Sequence, residues 1–309
     1  MFKLLVIYIS LLTCSPGQEL YSRYGHTAIR VQDTEKHADF VFNYGTFTFN
    51  TDHFYWKFVK GETYYQLGID PTAWFVEENT LEGRTIYEQP LNLTDEQKQA
   101  VAEALWTNFR PENRSYLYNF VFDNCATRPY YLLKHVLGDS ICSTYSEWED
   151  VTYREYIQHY TGKDSWEDFA INMIFGPRAD RPMHNEDRLF MPEALMFFMQ
   201  DATLADGTPL VKDSTIAPFV IAPTPWYKTW YVGLVAFIIF FLTISLIDLR
   251  RDKWSWYVDV PFVIIYVLLL AVVIFLTFFS IHPLVGFNWR LFLFPVIHLC
   301  LRLIYIVRG

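Results

Sequence analysis

The chain has 309 residues, a formal net charge of −9, and a composition that is 52% hydrophobic and 19% aromatic with only 19% charged residues. That length holds one or two domains, and an acidic balance without a basic stripe excludes a nucleic-acid-binding surface. The apolar residues are concentrated toward the C-terminus, which divides the chain into a mixed globular part, residues 1–225, and a membrane part, residues 226–309.

The first segment, "MFKLLVIYISLLTC", reads either as a short signal peptide led by Lys3 or as a buried strand over residues 5–13. No small-x-small cleavage site follows it, which favours the strand and places any export signal upstream of Met1. "SPGQELYSRYGHTAIRV" predicts a turn at Pro16-Gly17, a short helix, and a strand from Thr27 with His26 at its head. "DFVFNYGTFTFN" is rich in aromatic and β-favouring residues and predicts a strand that a turn at residues 33–38 folds back on the His26 strand. "TDEQKQAVAEALWTNF" predicts a helix, with Thr94 and Gln97 at capping-box spacing and Val101, Leu105 and Phe109 on one face. "PYYLLKHVLG" predicts another, starting at Pro129 and closed by Gly138, with Leu132, Leu133, Val136 and Leu137 on its apolar face. "EWEDVTYREYIQHY" and "PEALMFFMQDATL" are further helices, and "IAPTPW" is a linker. The fold class is α+β with an appended helical membrane domain.

Three apolar stretches lie in the membrane part: residues 230–247, 261–280 and 291–307. A bilayer core of about 30 Å takes about 20 apolar residues per helix, which the first two supply. The third carries Pro295, His298 and Arg302 and is tilted, re-entrant or packed against its neighbours. Arg250, Arg251 and Lys253 mark the loop between the first two as cytoplasmic. The globular part and the loop Ile281–Trp289 then lie outside, with Trp226, Tyr227, Trp230 and Tyr231 as an interfacial belt.

"FDNCATRPYY" places Cys125 behind Asp123 and Asn124, either of which suits a helix cap, and just before the predicted helix. Unpaired N–H groups at a helix start favour a thiolate. Cys125 is therefore a nucleophile, a disulfide partner or a small buried residue. Of the other cysteines Cys300 lies in the third apolar stretch, and Cys14 pairing with Cys142 would leave Cys125 free. A thiol nucleophile takes a base and a group that orients it. His26 after Gly25 is the candidate base and Asn43 the candidate orienter, with Tyr44 competing for that role. His135 sits too far along the helix after Cys125 to serve. No metal-ligand cluster is visible, and no cofactor is expected.

"ISLLTCSPGQELYSRYGHTAIRV", "FNYGTF", "LNLTDEQK" and "YLYNFVFDNCATRPYYLL" resemble the Lnb family of bacterial lipoprotein N-acyltransferases, and "HPLVGFNW" resembles its membrane part. The resemblance implies a permuted papain-like (NlpC-like) extracytoplasmic domain, histidine before cysteine, in an order similar to that of the lecithin:retinol acyltransferase group. It also implies a multi-pass protein of the bacterial inner membrane, with the domain on the periplasmic face, and a chain that continues beyond Gly309. Cys125 would take an acyl chain from a phospholipid as a thioester with His26 as base. The amine of a diacylglyceryl-cysteine lipoprotein would then accept it. Within that reading Asn124 is a candidate oxyanion donor, with Tyr44 also at the substrate. Arg128 is a phosphate-binding fork or a structural salt bridge, and Arg30, Arg178 and Arg181 are further phosphate candidates. Tyr118, Phe120 and Phe122 line an acyl channel or belong to the core. Two other readings are a membrane-anchored NlpC-like peptidase or amidase of the cell wall, and a non-enzymatic assembly protein with a structural Cys125.

Overall fold

Ile9 and Leu11, Ile29 and Val31, and Phe42 and Tyr44 recur at every second residue, the spacing that sends side chains to one side of a pleated strand. Leu12 and Cys14, Ala28, and Val41 occupy the alternate positions. One face of these strands is therefore apolar along its length, and the other is apolar and covered toward the Cys14 end of the first strand. The computed structural model describes residues 7–47, 52–138, 141–146 and 150–306. It divides into two units: one comprises the described residues up to Val151 with Pro182–Val220, the other Thr152–Arg181 with the described residues from Ile221.

The first unit is built on a six-stranded antiparallel sheet of β1 (Ile7–Cys14), β2 (His26–Asp33), β3 (Ala38–Thr46), β4 (Tyr64–Pro71), β5 (Ile86–Pro90) and β6 (Ser115–Leu117), in the order β5-β1-β2-β3-β4-β6. The N-terminal segment is thus a strand, as its apolar run predicts; residues 1–6, with Lys3, lie outside the described residues. Helix α1 (Phe54–Lys60) precedes β4, and α2 (Thr72–Leu81) follows it and places Phe75 on the smaller apolar face. The larger face is covered by α3 (Asp95–Phe109), α4 (Thr127–Leu137) and, later in the chain, Pro192–Asp201. In α3 the Thr94–Gln97 capping box is formed, and Val101 and Leu105 are buried on the predicted face. The helix after Cys125 begins at Thr127 rather than Pro129, because proline fits within a first turn, where its missing N–H has no partner to lose.

The cysteines correct an expectation. Cys14 and Cys142 are unpaired. Cys14 is fully buried at the end of β1, facing His26 in the ladder, whereas Cys142 is exposed and bridges to Thr203.

The second unit contains α5 (Tyr153–Thr161), α6 (Trp166–Ile174), α8 (Trp230–Arg251), α9 (Trp256–Phe279) and α10 (Leu293–Ile306); α7 is the helix Pro192–Asp201 of the first unit. Arg154 Nε donates to Asp180 Oδ1 at 2.6 Å and its Nη1 to Asn172 Oδ1 at 2.7 Å. Asn288 Nδ2 reaches Phe175 O at 3.1 Å, tying the loop after α9 to the end of α6. Among the described residues α8 and α9 alone are long and apolar enough to span a bilayer. The expected third span is not among them: α10 has 14 residues, about 21 Å at 1.5 Å per residue, and its polar groups face the other helices. Arg302 Nη2 donates to Asp248 at 2.8 Å and Asp259 at 2.7 Å, and His298 Nε2 lies 2.9 Å from Asp259 Oδ1. Ionisable groups in such a setting persist when paired in this way.

Gly25, just before β2, has φ +80°, and a Cβ there would stand 2.9 Å from Cys14 O and 2.8 Å from the Phe219 ring. Gly25→Ala is expected to cost about 2 kcal/mol or more, seen as a lower Tm of the full chain in detergent. An unchanged Tm would contradict this account of the β2 entry.

Candidate active site

Pairing of β1 with β2 runs as far as Cys14↔His26, but pairing of β2 with β3 ends at Ile29↔Phe42. Beyond that point the two central strands are no longer hydrogen-bonded to each other. On the β3 side the register against β4 shifts between Tyr44 and Thr46, with Gly45 at φ +95° as the extra residue. Such a bulge bends its strand away from its neighbour. The opening is bridged by side chains: His26 Nε2 lies 2.6 Å from Asn43 Oδ1. As an acceptor, Asn43 Oδ1 holds the imidazole proton on Nε2 and leaves Nδ1 as the basic nitrogen.

Cys125 enters this opening. Thr27, the residue after His26, offers its backbone N–H to the sulfur, as does the N–H of Cys125 itself. A Cβ at Gly45 would lie 3.6 Å from Cys125 Cβ, so glycine there lets the two backbones approach. The cysteine is partly accessible and free.

Asn124 fixes the cysteine in that place. Its Oδ1 accepts from Ala126 N and Thr127 N, both at 2.9 Å, capping the turn that leads into α4. Its Nδ2 donates to Phe120 O at 2.7 Å and Phe190 O at 2.8 Å. Both amide hydrogens are thus committed to main-chain carbonyls, and the side chain is buried. Arg128 is likewise committed: its Nε and Nη2 donate to the two Asp123 carboxylate oxygens at 2.6 and 2.8 Å, and its guanidinium lies 3.5 Å from the Tyr116 ring centroid. Arg30 is held by Asp39 at 2.6 Å and Glu88 at 3.0 Å. Tyr44 projects into the large core, where its hydroxyl accepts from Asn108 Nδ2 at 2.9 Å.

Burial governs the electrostatics. It pushes the Cys125 thiol up to about 11, against the opposing pull of the Thr27 and Cys125 N–H groups and of Arg84. The expectation that a helix start would lower this pKa therefore does not hold, because desolvation of the thiolate outweighs two N–H dipoles. Burial also pushes His26 down to about 4, reinforced by Arg84 and opposed by the Asn43 hydrogen bond. Both groups are neutral at pH 7, the thiol protonated and the imidazole unprotonated.

Arg84 is the residue that pattern reading missed. It follows the turn at Gly83, carries no motif, and reaches the site because β5 pairs with β1, setting Ile86 opposite Cys14. Its Nε donates to Ser15 O at 2.8 Å, and its side chain is 8% exposed. Its charge acts on Cys14, His26 and Cys125 alike.

A stack of rings leads from the cysteine to the surface. Tyr118 is 4.0 Å from the Cβ that Gly45 lacks and stacks on Tyr65 at 4.2 Å; Tyr65 stacks on Phe47 at 4.8 Å, and Phe47 on Phe54 at 5.9 Å. It ends at α1, where Tyr55, Trp56 and Phe58 are exposed. Phe120 instead packs between Tyr24 and Phe190, and Phe122 is exposed.

The family model of the Lnb N-terminal periplasmic domain matches residues 2–159, and that of the Lnb transmembrane domain matches residues 224–309. The chain belongs to the Lnb family. It is accordingly a membrane protein with an N-terminal periplasmic domain. No curated protein and no solved structure matches this Lnb chain.

Thiolate is the species that reacts with alkylating agents. Iodoacetamide modification of Cys125, followed by peptide mass spectrometry, is therefore expected to accelerate about tenfold per pH unit from pH 7 to 9 without a plateau. Arg84→Gln, which removes a charge favouring the thiolate, should slow it at every pH. A plateau near pH 8 would contradict this electrostatic account.

Proposed function

We propose that this protein is a cysteine acyltransferase that moves an acyl chain from a phospholipid to the N-terminal amine of diacylglyceryl-cysteine lipoproteins at the periplasmic face of the inner membrane. The observation that carries the reading is a free, partly accessible Cys125 at a capped helix start, set in a strand opening that His26 and Asn43 bridge at 2.6 Å. Family membership is compatible with such a lipoprotein-modifying enzyme. We read the antiparallel sheet with α4 as a permuted papain-like (NlpC-like) arrangement, histidine before cysteine.

The neutral resting pair sets the order of events. Nδ1 of His26 takes the Cys125 proton as the sulfur attacks the ester carbonyl, so ionisation accompanies attack. The Sγ–C bond forms, the ester C–O bond breaks, and the imidazolium returns its proton to the departing lysophospholipid. The lipoprotein amine then attacks the thioester carbonyl. The C–S bond breaks, an amide forms, and the thiol is restored through His26. Asn43 holds the ring and offsets part of the cost of its positive charge. The Cys125 N–H faces the oxyanion that develops, a donor that Asn124 fixes by capping. The rings Tyr118, Tyr65 and Phe47 supply an apolar track for the acyl chain. Asn124 and Tyr44 act on substrate only through this framework, since their side-chain polar groups are spent on protein partners.

Two predictions test this. Lipoproteins from cells carrying Cys125→Ala should lose the mass of one acyl group relative to wild type; unchanged acylation in cells with no other N-acyltransferase would overturn the proposal. In purified protein, His26→Ala should slow acyl transfer roughly 10²- to 10⁴-fold, with Asn43→Ala less severe. A His26→Ala rate equal to wild type would remove the base from the mechanism.

A further inference from the structure

The second unit contains a cavity that this chemistry does not use. It has a volume of about 320 Å³ and lies at the C-terminal end of α9, lined among others by Pro177, Arg178, Thr277, Ser280, His282 and Val285. Its wall is stable for a local reason. The segment after α6 pairs with the loop after α9 through Gly176 N to Leu284 O at 2.9 Å and Gly286 N to Ile174 O at 3.1 Å. Asn288 anchors the same loop to Phe175 O at 3.1 Å.

Its position in the bilayer follows from the chain direction. The periplasmic domain matched over residues 2–159 precedes α8, so α8 crosses inward, α9 crosses outward, and the end of α9 meets the outer interface. Phe278, Phe279 and Ile281 are exposed there, beside the cavity, at the depth where acyl chains give way to headgroups. Arg178 supplies a guanidinium to this rim. Arg30, Arg128, Arg154 and Arg302 each hold a carboxylate. Arg178 holds none among the described residues, and the cavity lining contains no carboxylate. The backbone N–H of His282 donates to Ser280 Oγ at 3.2 Å, which holds the serine side chain at this rim. A planar guanidinium beside the Ser280 hydroxyl suits a phosphodiester. The volume sits at the lower end of the range of about 300–1,000 Å³ for small-molecule sites, enough for a headgroup while acyl chains run down the apolar face of α9.

We infer that the Arg178–Ser280 cavity binds the phosphodiester headgroup of an outer-leaflet phospholipid. This needs only the bilayer that α8 and α9 require, not the acyl-transfer reading, so either can fail alone.

The test uses the full chain in detergent with Cys125→Ser, so that binding is read without turnover, and phosphatidylglycerol with a fluorescent acyl chain as the probe. Arg178→Ala should weaken binding roughly ten- to hundredfold, Arg178→Glu should weaken it further, and Arg178→Lys should recover part of it. The matching fluorescent diacylglycerol should bind no better than to Arg178→Glu, and millimolar inorganic phosphate should not displace the lipid. Equal affinity of wild type and Arg178→Ala would overturn the proposal, as would equal binding of diacylglycerol. Displacement by inorganic phosphate would make this a free-phosphate site and overturn it too.

Discussion

The side chain of Asn124 holds the candidate site together. One oxygen takes the two N–H groups that begin the turn into α4, and one nitrogen ties that turn to the carbonyls of Phe120 and Phe190. A buried amide satisfied on both ends is costly to disturb, because each main-chain group it releases would lack a partner. That network sets the depth and direction of Cys125. The sheet provides the complementary half: β2 and β3 part beyond Ile29↔Phe42, and Gly45 bends β3 so that the cysteine can enter. Neither half makes a site without the other.

The electrostatic character follows from how much water this arrangement removes. Helix-start N–H groups favour a thiolate, but desolvation is the larger effect at Cys125 and also at His26. The outcome is a neutral pair rather than a preformed ion pair, with Arg84 as a fixed buried cation nearby. A protonated thiol is less readily oxidised than a thiolate, which suits a free cysteine in an oxidising compartment.

Local physics was legible in the sequence. The Thr94–Gln97 capping box, the apolar face of α3 and the N-terminal strand depend on neighbours a few residues apart, and all three appear among the described residues, the strand from Ile7. The ordering of His26 by Asn43 was legible because a predicted turn brings their strands together. Failures came where the deciding partner is remote or local in an unexpected way. Of the two readings of Arg128, phosphate-binding fork or salt bridge, the structure shows the salt bridge, to Asp123 five residues earlier. Cys14 and Cys142 looked like a pair by counting, yet Cys14 is sealed into the small core. Arg84 is invisible without the β1–β5 ladder. In the third apolar stretch Arg302 and His298 pair with Asp248 and Asp259, partners on α8 and α9 that the stretch itself does not reveal.

The membrane part carries its own constraints, since α8 and α9 can lie in a bilayer only with their charges paired or placed at its edges. The central claim concerns one sulfur atom. Its most direct test is to incubate the purified full chain with a phospholipid bearing an isotopically labelled acyl chain and map the protein by peptide mass spectrometry. The account predicts one labelled acyl group on the peptide containing Cys125, released by neutral hydroxylamine as a thioester. Label found on Cys14 or Cys142 but not on Cys125, or no protein-bound label while lipoproteins are still acylated, would contradict it.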